Sequence, residues 1–164
     1  MFGSLKKLFG GKSEGEKVIL APVAGKAIPM SEVNDPTFSQ EILGKGAAII
    51  PSEGRITAPA DGEITMVFDT KHAISMITAD KAEIIIHIGL DTVQLKGQYY
   101  TAHVKAGDKV KTGDLLLEFD IDKIKEAGYD VTTPIIICNT PDFPNMKSRT
   151  GVEVTAQDVL IHLD

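Results

Sequence analysis

Short apolar runs separated by polar turn residues dominate the chain from residue 18 onwards. These runs are rich in β-branched residues and lie at 18–20, 47–50, 62–68, 115–119, 134–138 and 159–163. Gly, Pro, Asp and Asn stand between them at intervals typical of a β-sandwich or barrel. A helical period occurs only in two short stretches, 35–43 and 121–127, the second of which is followed by Gly128. The pattern predicts an all-β single domain over residues 18–164, an antiparallel β-sandwich of barrel-sandwich-like type with minor short helices.

One predicted hairpin is flanked by two histidines. Its β-prone strands, 70–78 and 81–89, are joined by the turn Ala79-Asp80. A two-residue turn pairs residues symmetrically about itself, and this symmetry places His72 directly opposite His87. Because Cβ atoms of opposed residues lie about 5 Å apart, the two imidazoles would meet on one face of the hairpin. A register that differs by one residue would send them to opposite faces, so the pair depends on this turn.

Two facing imidazoles suit phosphoryl transfer. Neutral imidazole is a nucleophile towards phosphorus, and histidine is among the residues that form covalent intermediates. The second imidazole can donate an N–H to oxygens of the transferred group, where charge develops. Thr70 precedes His72 by two residues, and its hydroxyl can fix the tautomer of that ring. Asp91, four residues beyond His87, has two interpretations: a side chain that orients a ring or meets a basic partner, and an ordinary turn aspartate.

Two other classes of protein remain alternatives on a related scaffold. A zinc-dependent peptidase needs a third protein ligand beside the two histidines, and no pattern places His103 or His162 to complete such a site. A biotinyl or lipoyl carrier needs an exposed lysine at a hairpin tip, typically between methionines. The stretch Met146-Lys147-Ser148 lacks that flanking. We therefore expect neither a bound metal nor a cofactor.

Length and composition exclude further classes of protein. The 164 residues suit one domain with a substantial core. The formal net charge of −6 argues against a nucleic-acid binder and leaves partner proteins with basic surfaces open. The single cysteine, Cys138, sits in an apolar run, so we expect a buried, reduced thiol, which fits the cytoplasm. No apolar run approaches the roughly 20 residues that cross a bilayer, and no secretory pattern opens the chain.

The first seventeen residues differ in kind from the rest. Within 1–9, four apolar side chains fall near one helical face and two lysines are the only charges: Phe2, Leu5, Leu8 and Phe9, with Lys6 and Lys7. Residues 10–17 have the composition of a flexible linker. Two interpretations stand: a disordered tail, because short isolated helices are marginal in water, or a small helix in weak contact with an anionic membrane surface.

The residues around both histidines carry a specific resemblance. Thr70 with His72, and the stretch 86–97 (IHIGLDTVQLKG), resemble the active-site signature of the glucose-class enzyme IIA family of the bacterial sugar phosphotransferase system. Supporting matches extend the resemblance over nearly all of 18–164, at 19–22, 57–62, 107–114 and 133–135. It implies an antiparallel β-sandwich in which His87 accepts a phosphoryl group from the histidine-containing phosphocarrier protein. The group then passes to a cysteine on the IIB domain of a sugar permease.

The same resemblance implies roles for further residues. His72 would support transfer without carrying the phosphate, and Thr70 would orient it. A shallow apolar ring would dock the partners, with Asp91 beside it, at Phe38, Ile42, Phe68 and Val93; the alternative for these apolar positions is ordinary core. Because no membrane segment precedes residue 18 and the chain opens with methionine, we expect a free carrier in the cytoplasm.

Overall fold

The computed structural model describes residues 15–164, which form a mostly antiparallel β-fold. The strands in this range are β1 (Val18–Leu20), β2 (Gly25–Pro29), β3 (Lys45–Pro51), β4 (Arg55–Thr57), β5 (Gly62–Val67), β6 (Ala73–Thr78), β7 (Glu83–His87), β8 (Tyr100–Ala102), β9 (Lys109–Val110), β10 (Leu115–Phe119), β11 (Thr133–Ile137), β12 (Lys147–Ser148), β13 (Val152–Val154) and β14 (Val159–His162). Two α-helices, α1 (Pro36–Ser39) and α2 (Ile121–Glu126), accompany short 3₁₀ segments at Met30–Glu32, Thr92–Leu95 and Thr140–Asp142. The predicted all-β class with minor helices is confirmed.

The described strands form one large sheet and two small ones. The large sheet has the order β13-β2-β3-β11-β7-β6-β5-β9, and the small sheets have the orders β1-β14-β12 and β4-β10-β8. Strand β11 lies in the interior of the large sheet, and every one of its residues is buried. Alternate isoleucines of β11 and β7 enter one main core shared by all three sheets: Ile135, Ile137, Ile84 and Ile86. The histidine-bearing end of β7 is therefore anchored to this core.

Both predicted helical stretches contain a helix. Helix α2 lies inside the predicted 121–127 and is followed by Gly128. Helix α1 is shorter than the predicted 35–43, and it begins after Asp35, whose carboxylate accepts a hydrogen bond from a backbone N–H in the first turn at 3.0 Å. It stops early because the chain turns to a positive φ of 57° at Glu41.

The hairpin between β6 and β7 has a register different from the predicted one. Ala73, rather than His72, pairs with His87 in the ladder. The prediction that the two histidines stand directly opposite each other in the strands was therefore wrong. The physical reason lies in the loop, where Lys81 adopts a positive φ of 72°. A third loop residue in the left-handed conformation follows the non-glycine turn and shifts the pairing by one position.

The single cysteine is exposed rather than buried. Cys138 directly follows β11, and its backbone N–H donates to the carbonyl oxygen of Glu83 at 2.7 Å. Its side chain lines an open groove of about 490 Å³ together with Ile42 and Leu43. Partial burial, with the nearby Glu83 charge, raises the pKa of the thiol. The prediction of a buried thiol was wrong because the buried run ends one residue earlier, at Ile137.

Glu16 and Lys17 lie beside the C-terminal residues of the chain. Leu163 N–H donates to the carbonyl oxygen of Lys17 at 2.9 Å, and a carboxylate oxygen of Glu16 lies 3.7 Å from Nδ1 of His162. Residues 1–14, including the predicted amphipathic stretch, lie outside the described residues, so both interpretations of that stretch stay predictions. No helix within 15–164 has the length and apolar character needed to cross a membrane.

Candidate active site

His72 and His87 meet although the strand ladder does not pair them. Their ring centroids lie 4.9 Å apart with the planes at 79°. His72 stands just before β6 and follows Lys71, which has a positive φ of 57°, so its side chain does not follow the alternation of the strand. The N–H of Ile88 donates to the carbonyl oxygen of His72 at 2.6 Å and joins this segment to the end of β7. The predicted contact between the rings is present, although Ala73 and not His72 pairs with His87 in the strand ladder.

One ring nitrogen of His87 is left free to act as a nucleophile. Its Nδ1 lies 2.7 Å from the carbonyl oxygen of Gly89. Because a carbonyl only accepts, Nδ1 carries the proton and Nε2 keeps its lone pair in the neutral ring. Burial lowers the pKa of His87, against the opposing effects of the Gly89 carbonyl and the charges of Asp35 and Asp91. His87 is thus a neutral, oriented imidazole at physiological pH.

Thr70 contacts His72 as the sequence predicts. The Thr70 hydroxyl oxygen lies 2.5 Å from Nδ1 of His72. When this hydroxyl donates, Nδ1 is the acceptor and Nε2–H remains as a donor on the other side of the ring. Burial, followed by the neighbouring His87, lowers the pKa of His72 to about 4, so the ring is neutral. With the Thr70 hydroxyl donating, the pair offers a nucleophilic nitrogen on His87 and a neutral N–H donor on His72.

Aromatic side chains flank both rings. Phe38 lies against His87 with the ring centroids 4.9 Å apart, and Phe68 meets His72 edge-on at 5.5 Å. Phe38 is only 5% exposed, and it packs with Met30 and other residues in a small apolar cluster beside α1. Phe38 packs against the His87 imidazole from the protein interior, whereas the half-buried Phe68 reaches the surface. Burial is the main cause of both lowered pKa values, and these two rings lie against the imidazoles.

The remaining predicted docking residues lie at the surface. Ile42 is 66% exposed and Val93 is 44% exposed, and Asp91 is exposed with a positive φ of 58°. Large apolar side chains at such exposure, grouped near polar residues, are features of protein-binding surfaces. The structure thus divides the predicted ring into surface members, Ile42, Phe68 and Val93, and a buried member, Phe38.

Two residues that contribute to the site were missed from the sequence. Gly89 supplies the carbonyl that fixes His87, and it has a positive φ of 93°. A Cβ there would lie 2.5 Å from the Thr92 methyl carbon, so the position admits no side chain. Its place two residues after His87 was the available sequence clue. Asp35 caps α1, and its charge opposes the lowering of the His87 pKa by burial; no local pattern connects it with the histidines.

The other histidines lie in different surroundings. His103 is exposed, with Nε2 2.8 Å from a carboxylate oxygen of Glu118, and His162 is exposed in β14 near Glu16. Within residues 15–164, no cluster of three or more His, Cys, Asp or Glu side chains could hold a metal ion. The described part of the chain thus provides no third ligand for the zinc-peptidase alternative.

Comparison with known proteins decides the family. A model of the phosphoenolpyruvate-dependent sugar phosphotransferase system, EIIA 1, matches residues 17–143. The chain belongs to this EIIA family. It is 48% identical over 153 residues to the glucose-specific EIIA component of Oceanobacillus iheyensis, covering 92% of this chain and 93% of that one. It is 51% identical to the β-glucoside-specific EIIBCA component of Bacillus subtilis, of which it spans 25%.

A solved structure supports the same assignment. The glucose permease IIA from Mycoplasma capricolum superposes with a TM-score of 0.82 at 33% identity, covering 92% of this chain and 97% of that one. As an EIIA, the protein is a phosphotransferase component that carries a phosphoryl group on a histidine and passes it to the IIB domain of a sugar permease. The findings do not favour the peptidase or the biotinyl and lipoyl carrier alternatives.

Proposed function

We propose that Nε2 of His87 is the atom that accepts the phosphoryl group and that the histidine-containing phosphocarrier protein is its donor. One observation carries the proposal: the hydrogen bond from Nδ1–H of His87 to the Gly89 carbonyl leaves only Nε2 with a free lone pair. His72 has no comparable freedom, because it is 5% exposed and its Nδ1 is bonded to Thr70. These differences support His87 as the nucleophile and His72 as the supporting ring.

Each transfer is an exchange of one bond to phosphorus for another. The Nε2 lone pair of His87 attacks phosphorus, the P–N bond to the donor histidine breaks, and its electron pair returns to the donor ring. In the second step a cysteine thiolate of the IIB domain attacks, and the electron pair returns to Nε2 of His87. Nε2–H of His72 donates to the equatorial oxygens while charge is spread over them. Thr70 holds the tautomer that makes this donation possible.

Docking on the surrounding surface brings the partners within reach. Ile42, Phe68 and Val93 supply apolar contact area around the histidine pair, and the exposed Asp91 supplies a negative charge for a basic partner. The same surface serves donor and acceptor in turn, since both must reach one nitrogen atom. Donor and permease domain meet the carrier on the cytoplasmic side, and we place the protein in the cytoplasm.

Transfer from labelled phosphocarrier protein tests the assignment. His87→Ala should accept no phosphoryl group, because it lacks the nucleophile. His72→Gln should still be labelled but should transfer onward about 10²–10³-fold more slowly, the usual loss when one donor to a developing negative charge is removed. His103→Ala is the matched control, since that histidine is exposed and paired with Glu118. Normal labelling of His87→Ala would disprove the proposal.

A further inference from the structure

The peptide that follows His87 accepts two buried hydroxyl groups. The carbonyl oxygen of Ile88 lies 2.7 Å from the Tyr100 hydroxyl and 2.8 Å from the Thr92 hydroxyl, and both donate to it. Tyr100, Thr92 and Ile88 are all buried, so these bonds do not compete with bulk water. The two donors occupy both lone pairs of this carbonyl oxygen. The hydroxyl groups of Tyr100 and Thr92 thus fix the peptide that follows Ile88 from two sides.

The neighbouring peptides are held as well. Their backbone N–H groups donate to backbone carbonyl oxygens: Ile88 to His72 at 2.6 Å, Gly89 to Thr132 at 3.2 Å and Leu90 to Asp130 at 2.9 Å. Each of the three successive peptides after His87 is thus held by a backbone hydrogen bond, and the peptide that contains the Ile88 carbonyl is the middle one. The next carbonyl along, that of Gly89, is the one that accepts from Nδ1 of His87. Its own peptide also carries the Leu90 N–H, which donates to Asp130, and the doubly bonded Ile88 carbonyl lies one peptide earlier.

We propose that Tyr100 is a positioning residue for phosphoryl transfer, whose hydroxyl, together with that of Thr92, aims the Gly89 carbonyl at Nδ1 of His87. This inference rests on the proposed role of His87 as the acceptor. Once the carbonyl is in place, the ring is held as the tautomer with a free Nε2. Without it either nitrogen can carry the proton, and a ring protonated on Nε2 cannot attack phosphorus through that nitrogen.

The hydroxyl and the ring of Tyr100 make different contacts, so they can be tested separately. The ring stacks on Phe119 with centroids 6.3 Å apart and planes at 21°, so a phenylalanine would keep the apolar packing. Burial raises the pKa of the Tyr100 hydroxyl to about 12, and a nearby Thr92 hydrogen bond opposes this increase. The hydroxyl thus stays protonated over the range in which the histidines are neutral. Removing this one oxygen atom tests the positioning without disturbing the core.

The variant Tyr100→Phe, in the full chain, should change the His87 ring and not only the fold. Nitrogen-15 NMR of the imidazole should show a several-fold larger population protonated on Nε2. The rate of phosphorylation should fall about fivefold, the factor that corresponds to one net hydrogen bond. Tyr99→Phe is the matched control, because it removes the same atom from the adjacent residue and should change neither quantity.

A second pair of variants keeps the test decisive if Tyr100→Phe folds poorly. Thr92→Val removes the other donor and should shift the tautomer in the same direction, whereas Thr92→Ser keeps a hydroxyl and should restore it. A wild-type tautomer and rate in Tyr100→Phe, with only a lower melting temperature, would overturn the inference and leave Tyr100 a structural residue. Phosphorylation found on another residue would refute the proposed acceptor, while the NMR tautomer would still report on the positioning by itself.

Discussion

Replacing His72 by glutamine should make the stability of the protein less sensitive to acid. The pKa of His72 falls from 6.5 in the unfolded chain to about 4 in the folded state, mainly through burial and then through His87. Between these values the unfolded chain binds a proton on His72 and the folded protein does not. The free energy of unfolding should therefore decrease as the pH drops from about 6.5 towards 4. Above pH 6.5 both states hold a neutral His72, so this loss of stability is absent.

The size of the effect follows from the same two pKa values. Each factor of ten in proton affinity corresponds to about 1.4 kcal/mol, so His72 accounts for at most about 3 kcal/mol of lost stability between pH 6.5 and pH 4. Urea unfolding at several pH values measures it as the change in the free energy of unfolding. A glutamine side chain does not titrate in this range, so the His72→Gln variant should show a flatter pH profile than the wild type.

The comparison uses slopes, because the substitution also changes the absolute stability. His103→Gln serves as the control, because it makes the same substitution at an exposed histidine outside the site. Identical slopes for His72→Gln and the wild type between pH 4 and 6.5 would refute the reasoning. They would mean that His72 is as accessible to protons in the folded protein as in the unfolded chain.

Further predictions concern the predicted docking ring and the N-terminal segment. Phe38→Ala should lower the free energy of unfolding by about 3–5 kcal/mol, because the ring is buried beneath His87. Ile42→Ser should change it by less than about 0.5 kcal/mol while slowing transfer from the donor, and equal kinetics in Ile42→Ser and the wild type would remove Ile42 from the docking surface. Deleting residues 1–14 should leave labelling by a soluble donor unchanged but slow transfer to permease in anionic vesicles, and the difference should shrink at high salt. Equal rates on anionic and neutral vesicles would contradict a membrane role for this segment.

The sequence by itself determined the features that depend on neighbouring residues. Strands β1 and β10 have the predicted bounds, because β-branched runs between turn residues specify extended chain locally. Helix α2 falls where a short helical period precedes Gly128. The Thr70–His72 hydrogen bond joins residues two positions apart, so its chemistry was visible in the sequence. The signature around His87 identified the family before any distance was known.

Only the tertiary structure decided the features that depend on distant contacts. The register of β6 and β7 turned on the left-handed conformation of Lys81, which no propensity indicated, and the histidines meet because His72 lies just outside the strand. Phe38 is buried because α1 places it against His87, far away in sequence.

The control of the nucleophile is also a long-range property. The peptide before the Gly89 carbonyl accepts a hydrogen bond from Tyr100, a residue from a different strand. Local patterns fix which residues are extended or turned, because those choices depend on a few adjacent dihedral angles. The direction of one carbonyl, the burial of one ring and the free nitrogen of His87 depend on packing between segments, and that packing exists only in the folded chain.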